Sequence, residues 1–306
     1  MNTLRPSDVG TPQAGARPDG AVGARATSSS QRTRLLASRA GVLVVLVVVG
    51  GVFAMPLVWM ISTSLKSDPE LYANPPIWIP RRLVWENYSS AFSYIPYFSY
   101  MRNTLIITGL SVIGWLFSCS FVAYGFARLS WRGRNALFIV LLATMILPYQ
   151  VTMVPTFIIF SKLGWLNTYF PLILPTYFGD AFFIFLLRQF FLTIPLELSD
   201  AARIDGCGEI GIYWRIVLPL AKPALATVVI FGFLNSWNNF LGPLIYLNSS
   251  TLYTLALGLA QYQQEHTTAW QMLMAASVTM TLPVIAIFFL AQKHFVRGIV
   301  LSGIKG

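Results

Sequence analysis

Charge is what this sequence has least of. Asp, Glu, Lys and Arg make up 10% of its 306 residues, against about 25% in a soluble globular domain. So few charges cannot cover a water-soluble fold of this size, which argues against an ordinary cytosolic enzyme and against a disordered chain. Cysteine is also sparse. Cys119 and Cys207 are the only two, and they form neither a disulfide framework nor a metal-ligand spacing. Histidine stops at His266 and His294. The chain lacks the G-x-x-x-x-G-K-[ST] loop that cradles phosphates in P-loop NTPases, so it is not expected to hydrolyse ATP itself. Acidic residues number 11 against 21 basic, a formal charge of +10. On a soluble protein such an excess would suggest nucleic acid. Here the basic residues lie between apolar runs, and no nucleic-acid partner is expected.

What the sequence has in abundance is apolar length. AVILMFWYC residues make up 56% and the mean hydropathy is +0.64. Its 22 Gly and 18 Pro suit membrane helices, which carry more of both than soluble ones. A helix needs about 20 mainly apolar residues to cross a bilayer. Six runs qualify: 40–61, 104–127, 136–160, 169–191, 224–247 and 271–291. The third is interrupted by Pro148 and Pro155, and residues 148–175 are not expected to form one straight helix. The first begins forty residues in and exceeds the apolar core of about 7–15 residues in a signal peptide. The fold class that follows is an all-α polytopic membrane protein with six transmembrane helices. Its domains are a disordered tail over 1–39, a permeating core over 40–291 and a C-terminal tail over 292–306. Both tails are expected in the cytoplasm.

The basic residues orient these spans. With six crossings, one side holds Arg5, Arg17, Arg25, Arg32, Arg34, Arg39, Arg128, Arg132, Arg134, Arg188, Arg203, Arg215, Lys222, Lys293, Arg297 and Lys305. The other holds Lys66, Arg81, Arg82, Arg102 and Lys162. The excess marks the cytoplasmic side and places both termini there.

Between the fourth and fifth runs lies LTIPLELSDAARIDGCGEIGIYWRIVLPLAKP, residues 192–223. It reads as two short helices about a turn. Thr193 can cap the first, Pro195 suits its first turn, and Glu197 and Asp200 favour its positive end. Asp205-Gly206 is a turn signal, and Pro219 limits the second helix. Ile212, Tyr213 and Ile216 can bury one face of it. By spacing alone this is either a solvated connector or a rigid knob that docks on another protein. Arg203, Glu209 and Arg215 read as ordinary surface or helix-end charges.

Two polar sites fall inside apolar runs. Asp180 either faces a path through the protein or sits at the membrane interface after a break at Gly179. Asn235, Ser236, Trp237, Asn238 and Asn239 crowd the fifth run, where amides and an indole need partners. They suit a polar path through the protein or a helix–helix seam. Pro243 is expected to end or kink that run.

The segments ELSDAARIDG (197–206) and IVLP (216–219) resemble the signature cytoplasmic loop of binding-protein-dependent ABC importer permeases. Ala201, Ala202, Gly206, Leu218 and Pro219 match the pattern, and Asp200 stands where Glu is usual. WENY (85–88), RNT (102–104), FLLRQFF (185–191) and WNNFLGPL (237–244) are similar to the carbohydrate-type branch. The ending FVRGIVLSGIKG (295–306) is similar to the maltose-system G-type permeases. The resemblance implies the type I ABC importer permease fold, in a bacterial or archaeal cell membrane. It implies a coupling loop over 192–223 that docks on a separate ATPase through Glu197, Asp200, Ala201, Ala202, Asp205, Gly206, Leu218 and Pro219. It further implies a second permease chain, an ATP-binding cassette ATPase dimer that binds ATP and Mg, an extracytoplasmic solute-binding protein and a carbohydrate substrate. This chain itself would carry no cofactor. Glycerol-phosphate compounds are the alternative substrate. A secondary transporter would usually need coupling groups in the spans, where Asp180 is the sole acid. A multispan membrane enzyme would have only Asp205, Glu209 and His294 as cytoplasmic candidates.

Overall fold

The computed structural model describes residues 29–263 and 268–302, with side chains described over 39–263 and 268–290. The expected tail up to residue 28, residues 264–267 and the last four residues lie outside that range. So do the side chains of the 292–302 segment. The chain divides after Met55 into two units, Met1–Met55 and Pro56–Gly306. The described part of the first unit is helical from Ser29 onward.

Helix dominates because a chain this apolar must satisfy its backbone internally once in lipid. Among the described residues the β pairing is a single bridge, Gln263 to Thr268. Four helices are long and apolar enough to cross a membrane: Arg39–Ser64, Tyr97–Arg128, Phe170–Thr193 and Trp270–Leu290. Two more pairs qualify when each is taken as one bent unit. Arg134–Thr144 and Tyr149–Lys162 meet at 97°, and Glu209–Leu220 and Lys222–Trp237 meet at 78°. The result is an all-α, multispanning membrane fold with up to six apolar helices.

Several boundaries differ from those read off the sequence. The first helix begins at Ser29, not at residue 40, since RTRLLASRA carries good helix formers straight into the apolar run. The third run breaks as expected ahead of Pro148, which caps the Tyr149–Lys162 helix with extended backbone; Pro155 lies inside that helix. The fourth run is composite. A turn at Phe170–Ile173 and a 3-10 turn at Leu174–Phe178 lead to Gly179, at φ +96°, before the helix Ala181–Thr193. The fifth run does not continue to residue 247. Its helix ends at Trp237, and a short helix, Leu241–Tyr246, follows. The break comes before Pro243, which sits in the first turn of that short helix, where a missing N–H costs little.

Two buried clusters organise the Pro56–Gly306 unit. One joins Trp115, Cys119, Ala123 and Tyr124 of the Tyr97–Arg128 helix to Phe183, Leu187 and Phe191 of the Ala181–Thr193 helix. It continues into Ile212, Tyr213, Val217 and Val228. The other joins Tyr97 and Tyr100 to Phe233, Trp237, Leu255, Tyr262, Leu273 and Ala276. Helix Tyr97–Arg128 contributes to both and is the spine of the unit. Gly114 lets that spine approach closely, since a Cβ there would collide with Thr176 and Tyr177.

Candidate functional site: the loop between the Ala181–Thr193 and Lys222–Trp237 helices

Helix Leu196–Ile204 opens at Pro195, whose backbone is extended. Thr193 is not its cap, because its hydroxyl donates back to the Phe190 carbonyl at 2.7 Å and closes the preceding helix. The other end is a Schellman turn. The Cys207 N–H donates to Ala202 O at 2.8 Å and the Gly206 N–H to Arg203 O at 3.0 Å, with Gly206 at φ +81°. A Cβ on Gly206 would meet nothing within 4 Å, so the backbone angle alone selects glycine there. The chain then enters Glu209–Ile212, a π turn at Tyr213–Val217 and a last turn at Leu218–Leu220. Pro219 has no N–H for the carbonyl one turn earlier, and the backbone ahead of it widens.

The knob has a buried root and a bare tip. Ile212, Tyr213 and Val217 are buried, and Ala202 and Cys207 pack against them. The Tyr213 hydroxyl pairs with Ser120 Oγ at 2.7 Å. At the tip, Leu196, Leu198, Ile204 and Ile210 are exposed, Ile204 at 87%. Glu197, Asp200, Ala201, Asp205, Gly206 and Pro219 are exposed with them, while Leu218 is half-buried. An apolar tip on a pinned root needs a protein surface to cover it.

Of the charges read as ordinary surface, Arg203 is exposed and Glu209 partly so, and they also pair with one another. Arg203 donates to Asp200 at 2.6 Å and to Glu209 at 2.8 Å. Glu209 also accepts from the Tyr124 hydroxyl at 2.6 Å. Arg203 first, then Tyr124, holds the Glu209 carboxyl below the ordinary carboxylate range. Arg128 Nη2 donates to the Ile194 carbonyl at 2.8 Å, tying the start of the loop to the same spine helix. The Arg203–Asp200 pair is a local i,i+3 contact, but no local pattern announces the bonds from Tyr124 and Arg128, which belong to a different helix. Arg215 is exposed, as expected.

The polar residues of the spans take local roles. Asp180 is half-buried and caps the Ala181–Thr193 helix, accepting from the Phe183 N–H at 3.1 Å. Trp237 is fully buried, stacks on Phe233 at 5.0 Å and donates from its indole to the Met280 carbonyl at 3.1 Å. Its side chain therefore lies in the seam with the last helix. Asn239 is half-buried and accepts from the Gly242 N–H at 3.0 Å, starting the short helix after the break. Asn235 and Asn238 are exposed, and Asn238 donates to the Leu234 carbonyl at 3.0 Å. Among the described residues no group of three or more His, Cys, Asp and Glu could hold a metal ion.

Up to six apolar helices with a compact loop between two of them define a polytopic helical membrane protein. Residues 119–301 match the family described as binding-protein-dependent transport system inner membrane component, and the chain belongs to that family. It is a transport permease subunit of an ABC import system, and not an enzyme. Such systems include a solute-binding protein and an ATPase. The chain is 37% identical over 254 residues to an arabinooligosaccharides transport system permease protein of Halalkalibacterium halodurans, covering 82% of this chain and 91% of that one. It is 34% identical over 262 residues to a sulfoquinovosyl glycerol transport system permease protein of Agrobacterium fabrum, covering 85% and 91%. Among solved structures, the fold matches a chain of a bacterial ABC transporter involved in the import of the acidic polysaccharide alginate. That match has TM-score 0.73 at 24% identity and covers 88% of this chain and 99% of that one.

Proposed function

We propose that this chain carries a di- or oligosaccharide inward across a bacterial or archaeal cell membrane, driven by ATP that a partner ATPase dimer binds with Mg. The observation that carries the coupling is the knob: an exposed apolar tip on a root bonded to the spine helix. Such a shape transmits displacement, where a loose connector would absorb it. Glu197, Asp200, Ala201, Ala202, Asp205, Gly206, Leu218 and Pro219 form the docking set. The carbohydrate class rests on the relatives, whose named substrates are saccharides or a glycoside. Glycerol-phosphate compounds are the alternative. The ending FVRGIVLSGIKG supports a place near the maltose-system G-type permeases.

In this reading a second permease chain completes the path, and an extracytoplasmic solute-binding protein delivers the sugar. Asp180, Asn235, Asn238 and Asn239 are the candidate path residues in this chain, while Trp237 supports them from the seam. Both termini face the cytoplasm, as the basic residues suggest.

The test is uptake by the complex reconstituted in vesicles with its ATPase and loaded binding protein. Labelled arabino-oligosaccharide or another oligosaccharide should enter only with ATP. Uptake that persists on an ion gradient without the ATPase would overturn the reading. Competition by glycerol phosphate, and not by saccharides, would transfer it to the alternative substrate. Tags at residue 306 and within 248–270 should label from opposite sides.

A further inference from the structure

The end of the Tyr97–Arg128 helix holds a guanidinium with no ion-pair partner among the described residues. Arg128 is only 8% exposed. Its Nη2 is bonded to the Ile194 carbonyl, but its Nε is buried with no hydrogen-bond partner. Among the described residues both ion pairs belong to Arg203; Arg128 forms none, and Asp200 acts on it only from beyond ion-pair distance. A buried, unpaired cation is strongly unfavourable.

Beside it lies a cleft of about 510 Å³ lined by Arg128, Leu129, Ser130, Trp131, Arg203 and Glu209. A second cleft, of about 240 Å³, shares Ser130 and Trp131 and adds Gly133, Arg134 and Asn135. Glu209 is the one acid among these lining residues, and its carboxylate is already engaged by Arg203 and Tyr124. With Arg203 offset by Asp200 and Glu209, Arg128 and Arg134 leave the pair of clefts positive. Arg134 also opens the Arg134–Thr144 helix, where a cation opposes the helix dipole unless an anion is near. The clefts lie at the end of a spanning helix beside an exposed Trp131, the kind of ring that settles at headgroup level.

We propose that this cleft binds a phosphate-class anion, the headgroup of an acidic membrane lipid or free phosphate, with Arg128 Nε as its buried donor. Guanidinium matches phosphate oxygens in geometry and charge, and basic pockets between spanning helices on the cytoplasmic side suit acidic headgroups. The inference rests on the cytoplasmic placement of residues 128–134. A bound anion would stand against Arg203 and Glu209 and so brace the root of the knob.

The experiment uses the assembled transporter in phosphate-free vesicles of phosphatidylcholine, of phosphatidylcholine with phosphatidylglycerol, and of phosphatidylcholine with millimolar inorganic phosphate. Thermal midpoint and lipid retained in native mass spectrometry are read together. Phosphatidylglycerol should raise the midpoint and stay bound. Arg128→Gln removes the guanidinium and should retain about tenfold less, the loss expected for one charged hydrogen bond. Ser130→Asp places a carboxylate in the cleft. It should raise the midpoint in plain phosphatidylcholine and abolish the response to either anion. A response to phosphate alone would keep the site and assign it to a solute. No response to either anion, or both variants responding like the wild type, would overturn the proposal. If Arg128→Gln fails to assemble, Ser130→Asp decides. Failure of cytoplasmic labelling at residue 306, with the lipid response intact, would separate the topology from the site.

Discussion

The Tyr124 hydroxyl donates to the Glu209 carboxylate at 2.6 Å, across 85 residues of sequence. Tyr124 is 4% exposed in the spine helix, and Glu209 opens the second half of the loop between the Ala181–Thr193 and Lys222–Trp237 helices. One bond thus joins the proposed docking loop to the helix that contributes to both buried clusters. Through Arg203, the same carboxylate also reaches Asp200 in the Leu196–Ile204 helix.

Tyr124→Phe removes the bond and keeps the ring packing. A net loss of about 1 kcal/mol is expected for one hydrogen bond, so uptake per ATP hydrolysed should fall about fivefold while subunit pull-down stays normal. Glu209→Gln should do at least as much, since it also frees Arg203. Simultaneous measurement of hydrolysis and uptake in vesicles checks this. An unchanged ratio in both variants would show that the bond carries no coupling.

Acid should loosen the same fastening late. Glu209 lies in the loop, outside the spans, and its carboxyl is held below the ordinary range by Arg203 and Tyr124. A carboxyl with a lowered folded pKa contributes its stability above the unfolded value and loses it as pH falls through the folded one. Coupling should therefore not change with pH through Glu209 at neutral and mildly acid pH, and weaken only below the usual carboxylate range of about pH 4. The wild type and Glu209→Gln, compared by uptake per ATP across pH, should converge at low pH. A gap that instead closes between pH 6 and 7 would contradict the assignment.

Gly206 is selected by backbone angle, not by space. Gly206→Asn should be mild, because Asn tolerates the left-handed region. Gly206→Val should cost about 1–3 kcal/mol of local strain and cut binding-protein-stimulated hydrolysis several-fold with normal membrane insertion. Asp200→Glu should be nearly neutral, since the pair with Arg203 is partly exposed and worth under about 1 kcal/mol. Wild-type hydrolysis and uptake in Gly206→Val would make the loop a tolerant connector.

Trp237 and Asn238 are neighbours with opposite surroundings. Trp237→Ala opens a hole in a buried cluster and removes the bond to the Met280 carbonyl, a loss of about 3–5 kcal/mol. Expression and assembly should fall together with uptake. Asn238→Ala and Asn235→Ala remove exposed amides and should leave assembly intact while lowering uptake. Pull-down and transport measured side by side distinguish the two. Full uptake in Asn238→Ala and Asn235→Ala would remove both from the path.

Local rules made the knob's turn and the third-span break readable in advance. Asp205-Gly206 carries its own conformational demand, and so does Pro148. They misplaced the break in the fifth run, where Pro243 looked like the cause. The interruption falls at Asn238 and Phe240, and Asn239 caps the short helix that follows. They also assigned Glu209 to plain surface, because its partner Tyr124 looks like any other aromatic in an apolar run.

By itself the sequence determined that the chain is a multispanning helical membrane protein with a glycine-turned loop between two spans. Apolar length, charge distribution and backbone restriction are properties of neighbouring residues, and they act before any tertiary contact forms. Tertiary structure alone decided which polar residues are fasteners and which stand exposed. Trp237 is sealed against Met280, Asn238 beside it is open, and Glu209 is tied to Tyr124. Those outcomes depend on which helix face meets which neighbour, and in nearly uniformly apolar helices the sequence period leaves that choice to packing.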